Sequence, residues 1–439
     1  MKRRIMVLIM LVFLLVQAYS FSVHPYVHDE QPFDSEQELS KMDFSKPLAQ
    51  NQLDWINTCT ISLVTIGPGD QLYAWFGHSA IIVSQPNGQR VMYDYGIFDT
   101  SQKHFYLHFA QGRMLYSVFA SNADWRIDDA ISEERDAKEI ELNLTPEAKF
   151  TMIRFLQNNA KPENNTYLYH FYKDNCATRL RDIINAATGG QFRTWAENKE
   201  AGGTYRSLTE RSMAHSPVIS WLLNFLQGPS IDYPLNHYEE MFLPESLFQG
   251  VQDFTYADGT PLAKKIMILN DTNGKNIRFI PYTKNVNYDA AFGFAGLILG
   301  LLSLFLLKHG EKHLLSRRLW ALFNGTILLF LSVIGTLLLF MMTLSNMDMT
   351  WFNENIVFIN PFLFIGCFKA FSLFFKQEKS TGSLLHTYKI FSVLTVILVV
   401  AKGLYPTQLI QDNLNIILFL LPMYLVGFAE KNPKFSSRK

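Results

Sequence analysis

The run Gly77-His78-Ser79-Ala80-Ile81-Ile82-Val83, a turn at Pro86-Asn87-Gly88, and the run Arg90-Val91-Met92-Tyr93-Asp94-Tyr95-Gly96 decide how the first half of this chain folds. Two β-branched and aromatic stretches joined across Asn-Gly predict an antiparallel hairpin, because Asn and Gly tolerate the positive φ that tight hairpin turns require. Upstream, Cys59-Thr60-Ile61-Ser62-Leu63-Val64-Thr65-Ile66 predicts a buried strand that reaches the hairpin through the turn Gly67-Pro68-Gly69-Asp70. Downstream, residues 114–119 and 137–144 read as further strands. Thr145-Pro146-Glu147 opens a helix to about Asn158, with Thr145 as N-cap and proline at the first helical position. Residues 251–287 read as two or three short strands around Asp258-Gly259 and Asn273-Gly274. The expected fold class is α+β, an antiparallel sheet with helices.

The whole chain has 439 residues, 39 basic against 39 acidic, and 48% hydrophobic content. A balanced charge gives no electrostatic footprint for nucleic acid, so a nucleic-acid partner is not expected. The charges crowd into the first two thirds, and the last third is nearly continuous apolar sequence. At the start, Met1-Lys2-Arg3-Arg4, an apolar run from Ile5 to Val16 and then Ala18-Tyr19-Ser20 have the three parts of a secretory signal, with cleavage expected after Ser20. An uncleaved anchor is the alternative, but a dozen apolar residues fall short of the roughly 20 that span a bilayer.

Beyond residue 287 five apolar stretches predict transmembrane helices: 288–307, 319–344, 356–375, 390–404 and 414–429. Lys308, Lys312, Arg317 and Arg318 lie between the first two, Lys376, Lys379 and Lys389 flank the third loop, and Lys431, Lys434, Arg438 and Lys439 follow the last; the other two loops carry no basic residue. The positive-inside rule makes those basic segments cytoplasmic and places residues 21–287 on the periplasmic side of the inner membrane. The expected organisation is a signal peptide (1–20), an extended leader (21–54), a catalytic domain (55–250), a short β connector (251–287), an all-α transmembrane domain of five helices (288–430) and a cytoplasmic tail (431–439).

Three cysteines in an exported chain are too few for a disulfide framework. Cys367 falls in a span and Cys59 in a strand; a Cys59–Cys176 disulfide is the plain alternative. Cys176 lies in Tyr172-Lys173-Asp174-Asn175-Cys176-Ala177-Thr178-Arg179, where a helix begins that runs to a stop at Gly189-Gly190. A thiol in the first helical turn faces the positive end of the dipole, which favours the thiolate nucleophile. His78, at the start of its strand, is the candidate base. Asp94 is the candidate for orienting the imidazole, since the hairpin brings it beside His78; Tyr93 or Tyr95 could do so instead. The oxyanion donors would be the Cys176 N–H and one more group, such as the Asn175 side chain or Tyr73. Asp174 works against this scheme unless it faces away, because a carboxylate near the sulfur disfavours the thiolate. One of Arg113, Arg179 and Arg181, with Arg179 as the candidate nearest the cysteine in sequence, could meet a lipid phosphate, alongside the commoner solvated or salt-bridge role. His104 and His108 stand one helical turn apart with no third ligand at a telling spacing, and no motif calls for a metal or other cofactor.

The ordered set Gly67-Pro68-Gly69-Asp70, Phe76-Gly77-His78-Ser79-Ala80, Tyr93-Asp94-Tyr95-Gly96, Asn175-Cys176-Ala177-Thr178-Arg179 and Phe242-Leu243-Pro244 resembles the exported domain of the lipoprotein N-acyltransferase of Bacteroides-type bacteria. Histidine preceding cysteine also resembles the permuted papain-like enzymes, such as the lecithin-retinol acyltransferase group and relatives of NlpC-type peptidases. The resemblance implies a permuted papain-like fold and a Cys176/His78 acyltransferase. Its partners would be a membrane phospholipid as acyl donor and a diacylated lipoprotein as acceptor, both in the bilayer. Rival readings are an envelope cysteine peptidase or amidase, a phospholipase, and a non-catalytic membrane receptor.

Overall fold

The computed structural model describes residues 35–101, 103–273, 287–310, 312–376 and 382–429. The expected signal peptide, residues 21–34 of the leader, residues 274–286 of the connector and the tail lie outside them. The described residues belong to two compact units, one drawn from Pro25–His215 and Pro234–Lys284, the other from Ser216–Tyr233 and Asn285–Lys439.

The first unit is α+β. Its seven strands are β1 (Thr60–Ile66), β2 (His78–Ser84), β3 (Arg90–Ile97), β4 (Leu115–Asn122), β5 (Ala137–Leu142), β6 (Thr166–Leu168) and β7 (Ala263–Asn270). They form one antiparallel sheet in the order β6-β4-β3-β2-β1-β5-β7. The Asn-Gly hairpin joins β2 to β3, with Ala80 opposite Asp94 and Ser84 opposite Arg90. Residues 263–270, expected in a connector, instead supply the edge strand beside β5.

Strand alternation sorts the side chains onto two faces. Ile61, Leu63, Ile81, Val83, Tyr93 and Tyr95 join the main core. Helices α2 (Pro146–Asn159), α3 (Cys176–Ala187) and α4 (Pro244–Asp253) contribute to that core, and α3 buries Leu180, Ile183 and Ile184 there. Val64, Ala80, Ile82 and Met92 point the other way and pack on Ala123 and Ile127 of α1 (Ala123–Ser132). Apolar cover on both faces explains why Ile61 to Ile66 are all buried instead of alternating with solvent-facing positions.

The second unit is helical: α5 (Asp289–Gly310), α6 (Leu314–Leu344), α7 (Leu363–Lys376), α8 (Gly382–Leu404) and α9 (Leu414–Leu425) occupy the five expected apolar stretches. Among the described residues, α5, α6 and α8 are long and apolar enough to cross a membrane. The other two are shorter than expected for identifiable reasons. Residues 354–357 form a 3-10 turn and Pro361 lacks an N–H, so the third helix begins only at Leu363. The fifth gives way to a 3-10 turn at Val426–Phe428, after Pro422 within it. The excursion 216–233 belongs to this unit: helix Pro217–Leu226 places Trp221 in its core, stacked on Phe292 at 5.8 Å, and the Phe225 carbonyl accepts from the side-chain amides of Asn353 and Asn355.

Candidate active site

Gly77 sets the start of β2. Its φ is +77°, and a Cβ there would stand 2.9 Å from the Ile66 carbonyl oxygen, so only glycine lets the chain turn tightly into His78. His78 and Ala80 face the same side of the sheet, and Asp94 lies opposite Ala80, which puts the carboxylate diagonally beside the imidazole. His78 Nε2 bonds Asp94 Oδ1. The other carboxylate oxygen accepts from Arg126 Nε and Nη2 at 3.3 and 3.1 Å.

Arg126 was not singled out from the sequence. It is presented by α1, whose N-cap Asn122 accepts from the N–H groups of Asp124 and Trp125. An Asn cap followed by Ala-Asp is a recognisable helix start. That signal locates the helix but says nothing of which strand residue its arginine meets.

Cys176 is the first residue of α3. Asn175 caps the helix by accepting from Ala177 and Thr178, while Thr178 Oγ1 accepts from the Asn175 N–H. The cap leaves the Cys176 N–H, at the first helical position, without an intrahelical carbonyl. The thiol is partly exposed and interacts electrostatically with His78. All three cysteines are free, so Cys59 and Cys176 are not bridged.

The charges of the cluster reinforce one another. Burial works against a protonated His78, but Asp94 and then Cys176 outweigh it and raise the imidazole to about 10. Burial likewise pushes the Asp94 carboxyl up, and His78 followed by Arg126 overcomes it, holding that group below its ordinary value. The site is therefore built to keep an imidazolium between a carboxylate and a sulfur.

The remaining expected residues are placed as follows. Asp174, the acidic neighbour that threatened the thiolate, is paired with Arg179 through Nε and Nη2 at 2.5 and 2.8 Å. Arg179 is thereby engaged within the protein, 6% exposed, with its guanidinium 3.7 Å from the centre of the Tyr167 ring. The Asn175 side-chain amide donates both hydrogens, to the carbonyls of Phe171 and Phe242 at 2.7 and 3.0 Å. That second bond explains what the Phe242-Leu243-Pro244 segment does for the site: it steadies the cap beneath the cysteine. Tyr95 is fully buried on the main-core face and donates to Asn159 Oδ1 at 2.7 Å. Tyr73 is largely exposed and sets its ring edge-on to Phe98. Next to Gly77 lies a cavity of about 210 Å³ walled by Trp75, Phe76, Leu208, Leu243 and Pro244, with Arg211 at its lining.

The structure thus brings His78, Asp94 and Cys176 into one cluster within a segment that can be compared with known families. Residues 46–211 match the Lnb N-terminal periplasmic domain family. The match covers His78, Asp94, Arg126 and Cys176, and it bears out the resemblance to the Bacteroides-type lipoprotein N-acyltransferase read from the motifs. With helices α5, α6 and α8, this Lnb-type domain makes the chain a membrane protein with a periplasmic domain. No curated protein and no solved structure matches the chain.

Proposed function

We propose that this protein is a lipoprotein N-acyltransferase of the inner membrane, which moves an acyl chain from a phospholipid to the α-amine of a diacylglyceryl-cysteine through a thioester on Cys176. The observation that carries this reading is the run of contacts Arg126–Asp94–His78–Cys176, with the sulfur partly open to solvent at a capped helix start. In the first step the sulfur attacks the ester carbonyl, the electron pair on oxygen is held by the Cys176 N–H, and His78 gives its proton to the departing lysophospholipid oxygen. In the second, the lipoprotein amine attacks the thioester, and His78 takes the amine proton as the thiolate leaves. Asp94 holds the imidazole in register for both transfers, as the third member of a triad does. The cavity beside Gly77 offers apolar walls for part of a lipid. Membrane helices confine the enzyme to the bilayer that holds both substrates, so encounter becomes a matter of orientation.

The test is to incubate purified full-length protein with phospholipid and a diacylated lipopeptide and to follow the products by mass spectrometry. The triacylated amide should form with wild type and be absent with Cys176→Ala. Amide formation by the alanine variant would refute the thioester, and free fatty acid in place of amide would make the protein a phospholipase.

A further inference from the structure

Tyr167, on the three-residue strand β6, is 1% exposed, and among the described residues its hydroxyl is buried with no hydrogen-bond partner. Buried tyrosine hydroxyls are normally paired, so an orphan marks a place where something else is to be bonded. Its surroundings say what. A Cβ on Gly96 would lie 4.0 Å from Tyr167 Oη and 3.7 Å from the Cys176 Cβ, so the hydroxyl and the cysteine flank the same small space. Gly96 keeps that space open: it has no side chain, a φ of +94°, and it lies at the register shift between Tyr95 and Ile97 in β3.

We infer that the Tyr167 hydroxyl is the side-chain donor that, with the Cys176 N–H, holds the oxyanion formed when Cys176 is acylated. This rests on the reading of Cys176 as the nucleophile and adds to it the group that stabilises the charge. Two other polar groups near the cysteine are committed, the Asn175 amide to two carbonyls and Arg179 to Asp174, while the Tyr169 ring stacks on Tyr116 at 4.1 Å. Arg179 lies over the face of the Tyr167 ring at 3.7 Å, where its charge fixes the ring and draws electron density from the phenol, making the O–H a stronger donor. Burial above all holds the phenol well above its ordinary value, with the Cys176 charge adding to the effect, so the donor stays protonated at every working pH. In the step itself the sulfur–carbon bond forms and the carbonyl pair moves to oxygen, where Tyr167 and the Cys176 N–H donate to it. The pair then returns, the ester C–O bond breaks, and the His78 proton goes to the leaving oxygen. Tyr167 exchanges no proton.

The experiment compares two reactions of the same sulfur in full-length protein. Acylation by a p-nitrophenyl fatty ester passes through an oxyanion and is read as the burst of p-nitrophenolate; alkylation by iodoacetamide displaces iodide and forms none. Tyr167→Phe should slow the burst by roughly 10²–10³-fold, as removal of one oxyanion donor does, and leave alkylation of Cys176 within about twofold of wild type. An unchanged burst rate in Tyr167→Phe overturns the proposal, as does an equal loss in both reactions, which would mean that the hydroxyl only supports the thiolate or the fold. A wild-type burst that persists in Cys176→Ala removes the nucleophile and this proposal together, whereas a Cys176-dependent burst indifferent to Tyr167 removes this proposal alone.

Discussion

Asp94 in the sheet unit and Glu354 in the helical unit are both buried carboxylates met by a cation, and they are surrounded in different ways. Around Glu354 the polar groups close on one another: Lys402 bonds one carboxylate oxygen and the Gln411 carbonyl, the Gln411 N–H bonds the other oxygen, and Gln411 Oε1 accepts from the Glu354 N–H. Asp94 is held as firmly, by Arg126 and His78, but its chain of contacts runs on to a sulfur that remains partly open. A closed network fixes a structure, whereas one that ends at a partly exposed thiol is arranged for chemistry. Glycines divide along the same line. Gly77 and Gly96 of the sheet unit supply positive φ next to the reactive residues, while Gly296 of α5 lies where a Cβ would meet the Phe419 carbonyl at 2.2 Å, so that α5 and α9 pack backbone to backbone.

The largest expected effect comes from opening the chain at Asp94. Asp94→Asn should lower Cys176 acylation by about 10²–10⁴-fold, the range spanned by loss of a general acid–base partner or of a triad carboxylate. The pH profile makes this sharper. In wild type the protonated imidazole persists until pH rises through about 10, so acylation should fall only above that point. With the carboxylate gone, burial is no longer outweighed by Asp94, and the alkaline limb should move to lower pH. The same pair stabilises the fold fully below the unfolded histidine value of 6.5 and above the unfolded aspartate value of 3.8, and that stability is lost as pH rises through about 10 or falls below the lowered Asp94 value. Denaturant midpoints across pH should lose this dependence in the variant.

Breaking the closed network should act on stability instead. Lys402→Met removes the cation that pairs with buried Glu354, at a cost of about 3–5 kcal/mol, read as a lowered midpoint in thermal unfolding of detergent-solubilised protein. A midpoint unchanged in Lys402→Met would show that the network is not the structural element this comparison makes it. In the sheet unit, Ile183→Ala on α3, 1% exposed, should cost about 2–5 kcal/mol in denaturant unfolding while leaving the cap residues in place. The smallest effect belongs to Arg126→Gln. Hydrogen bonds to a charged group contribute about 1.5–3 kcal/mol, and the partial exposure of Arg126 discounts that, so acylation should fall by about tenfold or less.

Much of this arrangement can be read along the chain. Asn87-Gly88 specifies the hairpin, and once its register is set, alternation alone puts Asp94 on the face of His78 and sends Tyr93 and Tyr95 to the other. Asn175 before Cys176 and Gly189-Gly190 after Ala187 delimit a helix that is found between those residues, with Gly190 N–H returning to the Asn185 carbonyl. Arg126 and Tyr167 escape such reading. Arg126 reaches Asp94 only because α1 covers the second face of the sheet, and β6 is three residues long, too short for any period to announce it. The lengths of the third and fifth apolar helices were also hidden, because apolarity measures a stretch and not the point at which its backbone hydrogen bonds begin.

The order of residues by itself determined the hairpin, the capped cysteine helix and the apolar character of the last third, and it offered Asp94 beside His78 with Tyr93 and Tyr95 as alternatives, since each depends on neighbours within one turn or one strand pair. Only the tertiary structure decided that Asp174 is silenced by Arg179, that the Asn175 amide is spent on carbonyls, and that the Tyr167 hydroxyl, without a hydrogen-bond partner among the described residues, shares the space at Gly96 with the cysteine. Those outcomes depend on which groups from distant segments reach the same buried point, and burial makes each satisfied or unsatisfied hydrogen bond matter.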